Sequence, residues 1–346
     1  MSSPEFFMSR CLALAANAIG DVSPNPMVGA VLVYDGRIIG EGYHEQYGKA
    51  HAEVNCINNV KEGDKHLIKD ATIYVSLEPC AHHGKTPPCA DLIIANNIKQ
   101  VVVGSDDRNP LVAGKGITKL RNAGIKVTEH VLQKECDFLN RRFMAFHREH
   151  RPYIILKWAE SADGFFAPHD EKKMWLTNEY SKKLVHKWRT EEDAILIGTK
   201  TALIDDPLLT ARLCEGRNPT RILIDMNLKV PQDSNIFNDD ALTIVYNNHK
   251  EGLESGTVFI KVNSTNDLPQ LIAADLYHRK VQSVIIEGGA YTLTQFIEQG
   301  LWDETRIFIS PTLLNGGIKA PSIAGSISHV QQILSDKLMI KMNNPL

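Results

Sequence analysis

The chain has 346 residues, 43% hydrophobic and 23% charged, and carries a formal net charge of −3 from 38 basic and 41 acidic side chains. That length suits two domains of roughly 100–200 residues, and the composition is that of a globular protein, not of a disordered, collagen-like or coiled-coil chain. So even a balance offers no overall attraction to nucleic acid or an acidic membrane, and no apolar stretch approaches the ~20 residues of a membrane span.

The segment 1–20 lacks a basic leader, and Glu5, Ser9, Arg10 and Asn17 interrupt its apolar positions. It reads as an amphipathic helix with Ser3 at the N-cap and Pro4 in the first turn, not as a signal peptide. Six cysteines are too few for a disulfide scaffold in a chain this long; in the reducing cytoplasm expected here, grouped cysteines point to metal or catalysis. Two apolar runs, 27–34 and 37–42, flank Asp35-Gly36, a β-hairpin signature. Then come a helix over 51–60, with Val54, Ile57 and Val60 at helical spacing, a buried strand over 71–77, a helix over 89–97, a strand over 100–104, a helix over 116–123 and a strand over 125–131. The alternation predicts a layered α/β domain. A helix over 135–147 leads away from it, and the charged Arg148-Glu149-His150-Arg151-Pro152 places a boundary between domains 1–147 and 148–346. In the second domain strands are expected at 153–158, 194–197, 221–224, 242–246, 258–262, 281–287 and 306–310, with helices at 178–190, 268–278 and 293–299. The stretch 163–175 reads as a long loop and Asp205-Asp206-Pro207 as a turn.

The most informative residues are His51-Ala52-Glu53, Glu78-Pro79-Cys80 and Pro88-Cys89. A catalytic zinc takes three protein ligands and a water, whose pKa falls to ~7 on coordination. One histidine and two thiolates would supply the three. Glu53, near the start of a helix, can stand beside the metal without ligating it and carry the water's proton to a ring nitrogen and a leaving amine. This is the H-x-E then P-C-x-x-C logic of zinc deaminases. The spacing departs from it, since eight residues, AHHGKTPP, separate Cys80 from Cys89; Gly84 and Pro87-Pro88 suit a loop that folds back. Two other readings stay open: buried cysteines with a capping histidine, or a closed structural zinc site with His82 or His83 as fourth ligand. Nearby, Asn25 stands between two prolines, His44 ends the hairpin, and His82 and Lys85 lie between the thiolates. Each alone is an ordinary surface residue, although a cation at Lys85 suits a phosphorylated substrate.

The second domain says less. Its strand 281–287 runs into Gly288-Gly289 and a helix. Such a turn can present N–H groups to a phosphate, or be a plain strand–helix connection. The G-x-G-x-x-G fingerprint is absent, so a Rossmann site is not supported. Arg189 and Arg212 can pair with a substrate phosphate or be solvated charges.

The motifs PNPMVGAVLV, HAEV, LEPCAHHGKTPPC and DRNPLVAGKGI, with RPYIILKWAESADG, WLTN, IDDPLLTAR and IIEGGA in the second half, resemble the bifunctional riboflavin-biosynthesis deaminase/reductase family over nearly the whole chain. The long thiolate spacing is characteristic of that family. The resemblance implies a cytidine-deaminase-like three-layer αβα domain followed by a dihydrofolate-reductase-like α/β domain. It implies one zinc per chain, held by His51, Cys80 and Cys89, with Glu53 as proton shuttle. Asn25, His44, His82 and Lys85, with Asp107 and Asn109, would contact 2,5-diamino-6-ribosylamino-4(3H)-pyrimidinone 5′-phosphate during removal of its 2-amino group. Trp175, Thr201, Asp205, Gly288 and Gly289 would contact NADPH, and Lys157, Arg189, Leu209, Arg212 and Glu287 the ribosyl substrate as it is reduced to ribityl. The expected protein is a cytoplasmic homo-oligomer with a small-molecule substrate and no nucleic-acid or membrane partner.

Two departures from the family pattern fall in the reductase half. Lys173 stands where a serine is expected and Met226 where a small polar residue is, and the loop 165–174 lacks the usual Gly and Ser. They leave open the efficiency of the reductase and its choice of NADPH over NADH. The rival readings are an active deaminase with an impaired reductase, a nucleic-acid base deaminase, and a zinc-stabilised binding module without turnover. Cys11, Cys56, Cys136 and Cys214 have no partner at ligand spacing and read as structural.

Overall fold

The computed structural model describes residues 3–82, 87–109, 113–169, 174–263 and 267–343. The chain forms two compact units, Met1–Glu149 and His150–Pro345.

In the first unit, α1 (Pro4–Ala15) leads to the hairpin β1 (Gly29–Tyr34) and β2 (Arg37–Tyr43). Then follow α2 (Ala52–Asn58), β3 (Thr72–Leu77), α3 (Cys89–Ala95), β4 (Gln100–Ser105), α4 (Lys115–Asn122), β5 (Lys126–Thr128), α5 (Gln133–Leu139) and α6 (Arg141–Glu149). The sheet order is β2-β1-β3-β4-β5, antiparallel around β1 and parallel from β3 to β5. Side chains two apart on a strand share a face. Thus Ala30, Leu32, Ile73, Val75, Val101 and Val103 pack against Cys56 and Ile57 of α2, Ala90 and Ile93 of α3 and Leu120 of α4. Val31, Val33, Tyr74 and Val102 turn the other way, against Phe7, Met8, Cys11 and Leu14 of α1 and Cys136 of α5. The result is an αβα sandwich whose strands, dry on both faces, are near-continuous apolar runs. Asp35 and Gly36 both take positive φ, 47° and 73°, as the two-residue hairpin turn requires.

Ser3 takes the expected N-cap position and Pro4 follows in the first turn. Two other expectations need correction here. The helix expected over 135–147 is two, α5 and α6, parted at Asn140. That buried amide leaves helical dihedrals and clamps Met27, accepting from its N–H at 2.8 Å and donating to its carbonyl at 2.9 Å. The strand expected to 131 ends at Thr128, because His130 and Leu132 adopt φ of 65° and 53°, which a strand does not tolerate.

The second unit contains β6 (Tyr153–Glu160), β7 (Phe165–Ala167), α7 (Glu179–Glu191), β8 (Ala194–Gly198), α8 (Thr199–Asp205), β9 (Thr220–Ile224), β10 (Thr243–Asn247), β11 (Gly252–Glu254) and β12 (Thr257–Lys261). It continues with α9 (Leu268–His278), β13 (Ser283–Gly288), α10 (Ala290–Glu298), β14 (Glu304–Ile309), β15 (Ile318–Lys319), β16 (Ser326–Ile333) and β17 (Asp336–Met342). Its main sheet runs β11-β12-β10-β9-β8-β13-β6-β14-β17-β16, and β12 through β14 are parallel neighbours. The chain works outward from β8 to β12, then α9 carries it back so that β13 inserts between β8 and β6. Part of the long loop is strand, since β7 pairs with β15. Asp205 belongs to α8 and not to a turn; Asp206 ends that helix at φ 40°. The β16–β17 hairpin was not legible in the sequence, because β16 is polar and exposed along nearly its whole length and so lacks a buried-face pattern.

One close approach decides where α2 lies. A Cβ on Gly42 would sit 2.5 Å from the Cys56 nitrogen and 2.7 Å from the Asn55 carbonyl carbon, and one on Gly40 2.5 Å from the Cys56 oxygen. The helix therefore rests directly on β2, and the Asn55 and Asn59 amides donate to the Tyr43 and Glu41 carbonyls at 2.8 and 3.0 Å. Gly42→Ala must push backbone, not a flexible side chain. It is expected to destabilise the first unit by about 1–3 kcal/mol in denaturant unfolding; an unchanged midpoint would refute the close packing.

Candidate functional site

His51 is the N-cap of α2, with β-region dihedrals, and Cys89 is the first residue of α3. Cys80 follows the carboxyl end of β3. The His51 Nδ1 atom lies 3.7 Å from Cys80 Sγ and 3.4 Å from Cys89 Sγ, and all ligand atoms of the three are within 4.8 Å of one another. Tetrahedral zinc with its usual bond lengths sets S···N separations of about 3.6 Å, so the residues fit the metal. The Cys89 N–H donates to Cys80 Sγ at 3.3 Å, a bond that favours thiolate. Among the described residues no fourth donor joins the group, which excludes His82 (described and exposed) from it; His83, Gly84 and Lys85 lie outside the described residues. Three protein ligands with a fourth position for water are the arrangement of a catalytic zinc, and the three described donors suit it.

Glu53, in the first turn of α2, is 3% exposed, and burial holds its carboxyl above the usual range. His44 is buried; its Nδ1 meets the Ala50 carbonyl at 2.9 Å and its Nε2 the Asn25 amide nitrogen at 3.0 Å. A carbonyl only accepts, so Nδ1 carries the proton and Nε2 accepts from Asn25. Burial lowers the imidazole's pKa and keeps that neutral form. Asp107, after β4, is buried and accepts from the Asn109 N–H at 2.7 Å. Burial, with Glu78 and Cys80 nearby, pushes its carboxyl up to about 7.

The second unit has a cleft of about 880 Å³ at the carboxyl ends of β6, β8, β9 and β13. Ligands of open α/β sheets bind at such ends, where the strand order switches. Lys157, Trp175, Thr201, Asp205, Leu209 and Gly289 line it, as do Arg189, Arg212, Glu287 and Met226. Thr199 ties the start of α8 to the end of β9 by donating to the Ile224 carbonyl at 2.8 Å, which sets Thr201 and Asp205. Gly288, at φ 126°, adjoins the cleft wall: a Cβ on it would meet Phe166 at 3.4 Å, and one on Gly289 would meet Thr201 Oγ1 at 3.3 Å. The turn before α10 thus has little room for a side chain on either glycine. Lys173 lies outside the described residues.

Arg189 donates to Glu287 at 2.9 Å and to the Thr210 carbonyl at 3.2 Å, and Lys157 Nζ lies 3.9 Å from Glu287. Burial raises the Glu287 pKa, but Arg189 and Lys157 outweigh it and the carboxylate stays below its usual range. Burial lowers Lys157, against Glu287. His186, which sequence reasoning missed, is 3% exposed and faces the same cleft. Among the described residues its Nδ1, Arg189 Nε and Glu287 Oε1 are buried atoms without a hydrogen-bond partner, as expected of groups that serve a ligand. Its position three residues before Arg189 on α7, one helical turn, is the signal that could have found it.

The order of parts in the first unit, histidine and glutamate at one helix start and two thiolates before and at another, is that of the zinc-binding deaminase class; the second unit is an α/β domain built around a nucleotide-sized cleft. Residues 1–105 match the cytidine and deoxycytidylate deaminase zinc-binding region, and residues 152–341 the RibD C-terminal domain. The riboflavin biosynthesis protein RibD of Aquifex aeolicus is 41% identical over 322 residues, which cover 90% of this chain and 88% of that one. Among solved structures, a diaminohydroxyphosphoribosylaminopyrimidine deaminase/5-amino-6-(5-phosphoribosylamino)uracil reductase from Thermotoga maritima superposes with a TM-score of 0.89 at 36% identity, covering 98% of both chains. Acinetobacter baumannii RibD does so with a TM-score of 0.89 at 30% identity, again over 98% of each chain. The chain belongs to the RibD family, the bifunctional deaminase/reductases of riboflavin biosynthesis. No helix among the described residues is long and apolar enough to cross a membrane.

Burial, then Arg189 and Arg212, pull the His186 imidazole down to about 4; Lys182 adds to this and Glu287 opposes it. An unfolded histidine takes up its proton near ~6.5. The unfolded chain therefore binds the proton first, and stability rises with pH between about 4 and 6.5. His186→Gln is expected to flatten that limb of the second unit's Tm against pH. An unchanged slope would show that the imidazole does not carry it.

Proposed function

We propose that the two units act in succession on one phosphorylated pyrimidine. The first, residues 1–149, removes the 2-amino group of 2,5-diamino-6-ribosylamino-4(3H)-pyrimidinone 5′-phosphate by hydrolysis. The second, residues 150–346, reduces the ribosyl group of the product to ribityl with NADPH. The observation that carries this reading is the His51–Cys80–Cys89 triangle beside the buried Glu53. The names of the relatives support the substrate.

His51, Cys80 and Cys89 would hold the zinc, which would supply an activated water with a pKa of about 7. The Glu53 carboxylate accepts the water's proton, holds it on Oε and returns it to the leaving amine. The Asn25–His44 pair and the Asp107–Asn109 turn hold the polar edges of the substrate, and the charge of Lys85 suits its phosphate. In the second unit Trp175, Thr201, Asp205 and the Gly288-Gly289 turn would hold NADPH, which would supply the hydride. Arg189, Arg212 and Leu209 orient the sugar phosphate, and Lys157, buried beside Glu287, gives its proton to the sugar atom that gains the electron pair. The even charge of the chain supports a small-molecule substrate over nucleic acid.

The test is a mass analysis of products from zinc-loaded protein given the phosphorylated diaminopyrimidine. Amine-to-carbonyl exchange alone is expected without NADPH, and exchange plus two hydrogens with it; no mass change in either case sinks the assignment. Glu53→Gln should keep its zinc and lose deamination by about 10²–10⁴-fold. Trp175 is exposed, with Lys182 Nζ 4.7 Å above its ring. Trp175→Ala should weaken NADPH binding in a fluorescence titration, and unchanged affinity would remove Trp175 from the cofactor site.

A further inference from the structure

Glu78 ends the β3 connection two residues before the first thiolate, and the deaminase reading gives it no task. It is 4% exposed. Its Oε1 accepts from the backbone N–H of Gly116 at 2.9 Å and of Ile117 at 3.2 Å. Its Oε2 accepts from Gly114 at 2.9 Å and from Asp107 at 3.4 Å. A carboxylate has about four acceptor sites, and here they serve donors that all belong to one connection, the one that leaves β4, carries Asp107 and Asn109 and enters α4. The Glu78 N–H also donates to the Ser105 carbonyl at the end of β4, at 2.9 Å. Two of the donors must be glycine. Gly114 has φ 72°, a left-handed conformation. A Cβ on Gly116 would stand 3.2 Å from Glu78 Oε1 and collide with the Pro79 carbonyl.

We propose that Glu78 is a positioning residue of the deaminase. It clamps the connection that bears Asp107 and Asn109 to the Glu78-Pro79-Cys80 segment, and so sets the distance between the metal centre and the groups that grip the substrate. The inference rests on the deaminase reading for its kinetic consequence, and on geometry alone for the clamp. Only a group with acceptor sites on both oxygens can do this. Glutamine has the same shape but turns an N–H₂ group toward two of the four donors, which leaves them unsatisfied. The second unit takes no part, so its reductase activity calibrates the amount of active chain, and zinc content reports on the integrity of the first unit.

The experiment uses the full zinc-loaded chain as wild type, Glu78→Gln, Asp107→Asn and the double variant. Zinc per chain, deaminase KM and kcat, and reductase kinetics on the deaminated substrate are measured for each. Glu78→Gln is expected to keep its zinc and its reductase constants while the deaminase KM rises about 10- to 100-fold, the consequence of unmet buried donors. In the double variant the two effects should be less than additive, because Glu78 acts through Asp107. Gly116→Ala presses on the same carboxylate with Glu78 intact and should also raise KM. An unchanged KM, additive effects, or a loss of activity that merely follows loss of zinc would overturn the proposal. Amide exchange tests the clamp apart from catalysis. The Gly114, Gly116 and Ile117 amides should exchange slowly in the wild type and faster in Glu78→Gln, and equal rates would refute the clamp. Absence of deamination by the wild type would sink the function instead, and leave the exchange result to decide the clamp.

Discussion

Both units depend on one constraint: parallel strands that are dry on both faces. A parallel strand cannot return to its neighbour through a tight turn, so the chain must cross by a longer connection, usually a helix. Each helical crossover begins at a strand's carboxyl end and delivers a loop and a helix start there. In the first unit β3 ends at the Cys80 segment and β4 at Asp107, while α3 begins with Cys89. In the second, β6, β8 and β13 bring Lys157, the start of α8, and Glu287 with its two glycines to one cleft. The apolar runs that make the cores therefore also decide where the polar groups collect.

The two sites handle buried charge differently. Around the metal centre, acidic groups are met by backbone N–H groups: Asp107 by Asn109, Glu78 by the entry to α4. Backbone donors have fixed places, so these carboxylates order loops. The reductase cleft instead sets side-chain charges against one another, with Arg189 and Lys157 about Glu287. A buried pair is strong evidence for specificity only where its remaining sites find partners. Here, among the described residues, Arg189 Nε and Glu287 Oε1 make no hydrogen bond, and Oε1 has only the Lys157 charge at 3.9 Å, consistent with a cleft arranged for a polar ligand.

The metal centre was legible in the sequence because its ligands sit at points the chain itself marks: a histidine and a glutamate at a helix start, a thiolate after an apolar strand, another after two prolines. The sheets were legible for a related reason, since strands such as 29–34 and 100–105 are too apolar to lie anywhere but inside. The errors fall where tertiary contacts overrule local pattern. Asn140 parts a helix because the Met27 backbone occupies its side chain. Exposed β16 shows no pattern because it buries no face. Short α8 has too few turns for periodicity to appear.

The sequence by itself determined the alternation of strands and helices, the candidate metal-ligating residues and the family, since each is written in residue types within recognisable motifs. It could not settle how far Cys89 stands from His51, because the answer depends on a loop folding back. Nor could it reveal that His186 shares a cleft with Arg189 and Glu287, or that Glu78 holds the connection after β4. Those are relations between segments up to about a hundred residues apart, and packing such as that of α2 on Gly40 and Gly42, and of β13 between β8 and β6, decides them.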